Sequence, residues 1–256
     1  IQKLVRDPYA IYARHVLRLA PLDQLRPEAD PRLRGTVLHR ILETYLKQGE
    51  GGEAALMAIA DRVLEAEVAW PLARAIWRTR LQKAAPAFLA FSEGTGGKPV
   101  LVEKKGAVTL DGLDFTLTGK PDRIDLLDDG RLMIIDYKTG EPPSENEQLH
   151  FDKQLFLAAA MAENGAFPDL PATEVARLAY VGVKADLKVR EPKLDEGQIA
   201  KVWAEFQELI AAYAKVTRGY TARRAMKEEK SQSDYDHLSR YGEWDETATA
   251  LPEDLA

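Results

Sequence analysis

The sequence predicts an α/β fold, a mixed β-sheet core flanked by helices behind a helical N-terminal lead. Three observations carry that reading. Residues 1–95 place apolar side chains at helical spacing; residues 100–138 switch to short apolar runs separated by Asp-Gly turns; and beyond them a helix-forming segment is followed by another apolar run and another helix. That order lays helices against a sheet.

In the first third, the segment LVRDPYAIYARHVLRL is expected to be a helix begun at Asp7-Pro8, a capping residue followed by proline at the first helical position. A connector rich in Pro and Asp covers residues 21–31. Over residues 35–47 the side chains Val37, Leu38, Ile41, Leu42, Tyr45 and Leu46 recur with a 3.6-residue period, which predicts an amphipathic helix. Residues 53–91 read as further helices, broken near Pro71 and Pro86.

After the loop SEGTGGKP, residues 100–102 and 108–110 read as strands with Asp111-Gly112 as a hairpin turn, and residues 115–127 as one long extended run. Asp128-Asp129-Gly130 turns that run into RLMIID, giving a meander of antiparallel strands. EQLHFDKQLFLAAAMAE has helix-forming composition, ARLAYVGV is a strand and residues 194–215 a helix, while the chain past Ala222 is polar and carries no clear periodicity. The expected organisation is one domain over residues 1–256: a helical lead over 1–95, an α/β core over 96–216, and a tail over 217–256 packed on the N-terminal helix.

Composition narrows the function. With no cysteine, the chain has no disulfide, thiolate metal site, cysteine-held iron-sulfur cluster or cysteine nucleophile. No window is apolar for the length of a membrane span and no signal-peptide pattern stands out, so a cytoplasmic protein without membrane contact is the expectation; the start at Ile1 suggests a piece of a longer chain. A net charge of −6 argues against coating nucleic acid by bulk electrostatics. Residues 1–40 nevertheless hold eight basic against four acidic side chains, and Arg218, Arg223, Arg224, Lys227 and Lys230 form a second basic segment. Solvated helix faces are the commoner meaning of such runs.

The chemistry concentrates in GKPDRIDLLDDGRLMIIDYKTG. Strand side chains alternate, so Asp136 and Lys138 share one face with Tyr137 opposite, and folding the hairpin at Asp129-Gly130 brings Asp122 close to Asp136. Two buried carboxylates side by side repel, and a divalent cation removes that penalty. Oxygen ligands without cysteine favour magnesium or manganese. A lysine beside such an ion suits phosphodiester hydrolysis, since its charge stabilises the developing phosphoryl charge. In isolation, an acid and a lysine two residues apart are more often a strand end in water.

Taken whole, the pattern resembles the core of the PD-(D/E)xK (restriction-endonuclease-like) nuclease superfamily in its RecB-like branch: an upstream helix histidine, a Gly-x-x-Asp strand, an Asp-x-Lys strand and a later helix glutamine. His39 in RGTVLHRILETYL, Asp122 in GKPD, Asp136 and Lys138 in IIDYKTG, and Gln154 in DKQLFLAAAM supply them in that order. The resemblance implies that Asp122 and Asp136 hold the metal, with His39 and the Tyr137 backbone carbonyl as further ligands. It also implies that Lys138 is the catalytic lysine and that Gln154 orients lysine or substrate. A lone histidine is more often a core or surface group, a balance the fitted motif reverses for His39. Glu103 matches an acidic position of many relatives and would assist metal or lysine, with a solvated strand end as the equal alternative. Asp125 alternates to the other face and is expected to be structural, paired with an arginine.

Over most of its length the chain is similar to the C-terminal nuclease domains of the AddB family, subunits of bacterial AddAB helicase-nucleases that process double-strand breaks. The implied function is Mg2+-dependent cleavage of single-stranded DNA, with manganese as the alternative ion. The implied partners are single-stranded DNA, an AddA-like helicase-nuclease subunit and the rest of a longer chain. Tyr9, Tyr12 and Tyr220 are candidates for base stacking, although aromatics in such helices are more often core.

Two departures stand out. Relatives place a tyrosine four residues after the glutamine, where Ala158 stands here, and many carry four cysteines around a [4Fe-4S] cluster, whose first location is Asp7 here. In place of that cluster, Asp7 is expected to pair with Arg240 or His237 over Tyr235, Leu238 and Trp244. A free-standing RecB-like exonuclease and a catalytically silent DNA-binding or scaffolding module are the other classes the sequence leaves open.

Overall fold

In the computed structural model, which describes residues 1–22, 28–49, 51–150, 152–226, 232–245 and 247–249, the run RLMIIDYK forms the strand on which the molecule is built. This strand, β5 (Leu132–Lys138), is buried along nearly its whole length because both faces are covered, which is why it is apolar throughout rather than alternating. It pairs antiparallel with β4 (Arg123–Leu127) and parallel with β6 (Val175–Gly182). Flanking these, β1 (Gly97–Val102) and β7 (Lys188–Arg190) complete a five-stranded sheet of order β1-β4-β5-β6-β7. The predicted mixed sheet is therefore present, its parallel pair made by the helical crossover between β5 and β6.

The expected meander differs in one place. Residues 115–127 do not form one run: β3 (Thr116–Gly119) pairs only with β2 (Gly106–Thr109) in a separate two-stranded ribbon, and the main sheet resumes at Arg123. Between them lies Lys120-Pro121-Asp122, and proline has no N–H for the ladder. The break places Asp122 just ahead of β4. Asp111-Gly112 does turn the ribbon, with Gly112 at a φ of +74° that glycine adopts without penalty.

Each face of β5 meets its own helices. Met133, Ile135 and Tyr137 pack with α3 (Pro31–Gln48), α4 (Gly52–Glu67) and α5 (Pro71–Glu93) through Val37, Ile41, Leu56, Leu81 and Phe88. Leu132 and Ile134 face α7 (Gln154–Glu163) and α8 (Gln198–Tyr213), where Phe156, Ala159, Val202 and Phe206 close the second core. Both cores contain residues from β6.

Helix boundaries follow caps more closely than apolar spacing. α3 starts four residues before the expected position because Asp30 caps it, accepting the Leu33 N–H at 2.7 Å with Pro31 in the first turn. Pro71 begins α5 instead of ending a helix, and Pro86 lies inside α5 without breaking it. The neighbours Ala84, Ala85 and Phe88 are buried, so tertiary packing outweighs the missing hydrogen bond while the exposed Pro86 sits on the solvent side. The expected single helix over EQLHFDKQLFLAAAMAE is two, α6 (Glu145–His150) and α7, with Gln154 opening the second.

The N-terminal segment is also split. α1 (Gln2–Arg6) precedes α2 (Pro8–Ile11), and a π-helical turn covers Tyr12–Val16. Asp7 does not cap α2 with its side chain, because that carboxylate is engaged by the tail: it accepts the Arg223 N–H at 3.1 Å and the Ser233 hydroxyl at 2.7 Å. Tyr235 is buried against Ala10 and Ala13 and donates its hydroxyl to the Leu19 carbonyl at 2.8 Å. The expected partners are thus replaced: Arg240 pairs with Glu243, and Leu238 and Trp244 are exposed. Ser233 wins since a hydroxyl needs no charge desolvated to reach a buried carboxylate. Lys227 and Lys230 of the second basic segment, and Arg26 of the first, lie outside the described residues. None of the described helices is long and apolar enough to cross a membrane.

Candidate active site

The site forms at the end of the sheet where β5 ends and β4 begins. The β4–β5 ladder pairs Arg123 with Ile135, so the next step opposes Asp122 to Asp136 on the face shared with Lys138. Facing residues in such a ladder hold their Cβ atoms about 5 Å apart. Two like charges so placed repel. Burial and this repulsion together push Asp136 up to about 6, against the opposing pull of Lys138.

Each carboxylate answers the strain differently. Asp136 is buried and meets the Lys138 ammonium at 2.7 Å. Asp122 uses one oxygen to accept the Tyr137 backbone N–H at 2.7 Å, which locks the start of β4 to the end of β5. Its other oxygen lies 3.1 Å from His39 Nδ1. His39 comes from α3 on the opposite side of the sheet, so Asp122 joins groups delivered by both layers.

Glu103 completes this side. It follows β1, lies 3.4 Å from His39 Nδ1 and pairs with Lys120 at 2.5 Å. Its backbone takes a left-handed φ of +50°, a conformation costing a residue with a Cβ about 1–2 kcal/mol, held by its N–H donating to the Asp122 carbonyl at 3.1 Å. Ligand atoms of His39, Glu103 and Asp122 all lie within 4.8 Å of one another, a spacing that suits a single cation. Burial disfavours the imidazolium, but hydrogen bonds and charge from Asp122 and Glu103 outweigh it and push His39 up to about 10. Metal-free, the histidine is thus itself the cation of the cluster.

Lys138 bridges to α7 by donating to Gln154 Oε1 at 3.4 Å. The sequence-predicted residues His39, Asp122, Asp136, Lys138 and Gln154 therefore form one chain of contacts, with Tyr137 contributing backbone while its side chain is buried among the lead helices. The close triad, however, is His39, Glu103 and Asp122; Asp136 turns toward Lys138. Asp125 is on the other face as expected, in a fully buried pair with Arg123 at 2.5 and 2.7 Å, and Arg123 also donates to Ser92 of α5 at 2.6 Å. Tyr9, Tyr12 and Tyr220 are half-buried and pack on one another, with ring centroids 6.3 and 5.6 Å apart.

Two supporting groups were not predicted. The Tyr180 ring lies 5.7 Å from Lys138 Nζ, and its hydroxyl donates to Asp152 Oδ1 at 3.1 Å, which also accepts the Gln154 N–H at 3.3 Å. Burial and the charges of Asp152 and Asp136 hold the phenol well above its ordinary range, so it stays a donor. An aromatic ring thus reaches the lysine from β6, although Ala158 stands where the resemblance calls for tyrosine. The signal available was a tyrosine inside the apolar run ARLAYVGV. Lys120 was legible only as a charge near the Gly-x-x-Asp strand.

Glycine permits two close approaches. A Cβ on Gly119 would lie 2.9 Å from Met161 Sδ of α7, and one on Gly182 would lie 2.8 Å from the Gly140 carbonyl. The second keeps the chain leaving Lys138 tight against β6.

With this geometry in place, the chain belongs to the PD-(D/E)XK nuclease superfamily, which it matches over residues 1–238. An uncharacterized protein of Rickettsia bellii is 29% identical over 176 residues, 64% of this chain and 21% of that protein. Its counterpart in Rickettsia conorii is 28% identical over 180 residues, 64% of this chain and 22% of that protein. The match thus spans about a fifth of the length of these relatives. The crystal structure of SSO0001 aligns over 78% of this chain and 84% of that one at 17% identity, with a TM-score of 0.30, too remote to bear on the site. Nuclease activity is what membership implies, and the superfamily usually works with divalent metals.

Proposed function

We propose that this chain is a Mg2+-dependent deoxyribonuclease of exonuclease type, with Mn2+ as an alternative ion, hydrolysing single-stranded DNA as the nuclease module of an AddB-like subunit in a helicase-nuclease complex. The observation that supports this most is the meeting of His39, Glu103, Asp122 and Asp136 with Lys138 at one end of the sheet. The donor set fits a hard divalent cation: oxygens and one imidazole, with Asp136 Oδ2 buried and lacking a hydrogen-bond partner of good geometry despite its ion pair. His39, Asp122, Asp136 and Glu103 would hold the ion, with the Tyr137 carbonyl as a further ligand; when bound it supplies Lewis-acid polarisation of a phosphoryl oxygen and a more acidic water.

The chain's own groups do the rest. Lys138, steadied by Gln154 and by the ring of Tyr180, places a positive charge where the phosphoryl oxygens gain negative charge. Gln154 fixes the lysine's direction, and Asp152 fixes Gln154. The cleft that holds Asp122, Asp136, Lys138 and Gln154 has a volume of about 440 Å³. A net charge of −6 suits a module whose DNA affinity comes from a larger assembly with an AddA-like partner, and relatives several times longer than the matched region agree with such a module.

The test compares wild type with Asp136→Ala and Lys138→Ala on end-labelled single-stranded DNA with Mg2+, in the full-length protein and in its complex. Each substitution is expected to lower the cleavage rate by about 10³-fold or more. Cuts on the strand assigned to this subunit that survive both substitutions would sink the catalytic reading.

A further inference from the structure

Beside the catalytic cleft lies a second one of about 470 Å³, bounded by α3, α5 and the turns that follow β5 and β6. Its floor is apolar, formed by Leu38, Ile41, Trp77 and Val183, and its rim is basic, with Arg34, Arg80, Lys83 and Lys184 against the single acid Asp186. It opens on Thr139 and Gly140, the two residues after Lys138, which span at most about 7 Å of extended chain. A Cβ on Gly140 would meet nothing within 4 Å, so the backbone at this mouth is open to close approach.

The rim charges are not all used by the protein. Lys184 is paired with Glu141, and Arg34 donates to the Thr139 carbonyl at 3.2 Å. The Arg34 Nε, however, is buried with no partner, an unmet donor at the lip of the cleft. Arg80 and Lys83 are exposed and make no ion pair among the described residues. An indole over an apolar floor with free cations at the edge matches a base that stacks and a phosphate that is neutralised. A purely apolar ligand would leave the rim unmet, and a free anion would leave the floor unused.

We propose that this cleft takes one unpaired nucleotide of the DNA strand, next to the phosphate that faces Lys138, with its base against Trp77 and its backbone phosphate on Arg34, Arg80 and Lys83. The inference rests on the nuclease reading for the strand's presence, but the pocket acts through binding alone. It would hold the strand in register, so that successive phosphates arrive at the same place.

The experiment uses the full-length protein without metal, so that no cutting occurs. Single-stranded oligonucleotides carrying one 5-iododeoxyuridine at successive positions are bound, irradiated and mapped by mass spectrometry. The expected result is an adduct on Trp77 for one or two adjacent positions. With Arg80→Glu/Lys83→Glu, the Kd is expected to rise about tenfold or more, the Trp77 adduct to fade, and the slope of log Kd against log salt to shrink by about 1. Lys98→Glu, at the far end of the sheet, should change Kd less than about twofold. Both rim residues are exposed, so the double variant is expected to fold. Binding with no Trp77 adduct, or a double variant that binds like Lys98→Glu, overturns the pocket. A protein that gives the Trp77 adduct yet cuts nothing when Mg2+ is added supports the pocket and fails only the nuclease reading.

Discussion

Two polar clusters sit back to back on β4 and β5, one on each face of the sheet, and they treat buried charge in opposite ways. On the face toward the lead helices, Arg123 and Asp125 neutralise each other through two short hydrogen bonds, and Ser92 takes another donor. On the other face, Asp122 opposes Asp136, and one lysine answers the second carboxylate while His39 answers the first. The first cluster is complete as it stands. The second sets Lys138, His39 and Lys120 against Asp136, Asp122 and Glu103, yet burial and the nearby Asp122 still hold Asp136 above the ordinary carboxylate range. Neighbouring residues of the same strands thus separate a structural pair from a group of donors whose chemistry suits a cation.

That contrast can be broken from either side. The largest effect on stability is expected where a satisfied pair is cut. Asp125→Ala leaves the Arg123 guanidinium buried without its partner and should destabilise the protein by about 3–5 kcal/mol in denaturant unfolding. A loss below about 1 kcal/mol would mean that the pair is not structural.

The opposite sign is expected across the sheet. Asp136 has a folded pKa of about 6 against an ordinary 3.8, so its ionised form costs stability. The cost is absent below about pH 4, grows as pH rises toward 6 and is complete above it. Asp136→Asn should therefore stabilise the metal-free protein by about 2–3 kcal/mol at pH 8 and by almost nothing at pH 4, read from urea unfolding at both values. A variant less stable than wild type at pH 8 would refute the idea of unmet charge.

A smaller effect belongs to the tail. Ser233→Ala removes the hydroxyl that donates to the Asp7 carboxylate, leaving the Arg223 N–H, and should cost about 1–2 kcal/mol. Tail protection in amide hydrogen exchange should fall with it, while any nuclease rate per folded molecule stays the same.

Much of this site could be read in the chain because its key relations are local. The Asp129-Gly130 turn fixes which residues oppose each other, so Asp122 facing Asp136 follows from counting outward, and alternation puts Lys138 beside Asp136. The α3 periodicity placed His39 on a helix, but only the family resemblance linked it to the carboxylates. What was not legible depends on tertiary contacts. Nothing near Asp7 announces Ser233, which reaches it across 226 positions, and nothing near Lys138 announces Tyr180 on a strand beyond the crossover. Pro86 misled for the same reason, since buried neighbours decide whether a helix tolerates proline. Pro121 acts locally: without an N–H it closes the ribbon after Gly119, so residues 115–127 form two strands.

The central claim, that the carboxylates gathered at this end of the sheet hold a divalent cation, is tested most directly by calorimetric titration of Mn2+ into the metal-free full-length protein. His39 carries its proton at neutral pH, with a pKa of about 10, so coordination must displace it. Titration near pH 7 in buffers of different ionisation heat should show about one proton released per ion bound, affinity rising with pH, and at least about a tenfold weaker Kd for Asp136→Asn. Binding of equal strength by wild type and Asp136→Asn, or no binding by wild type, would contradict the account.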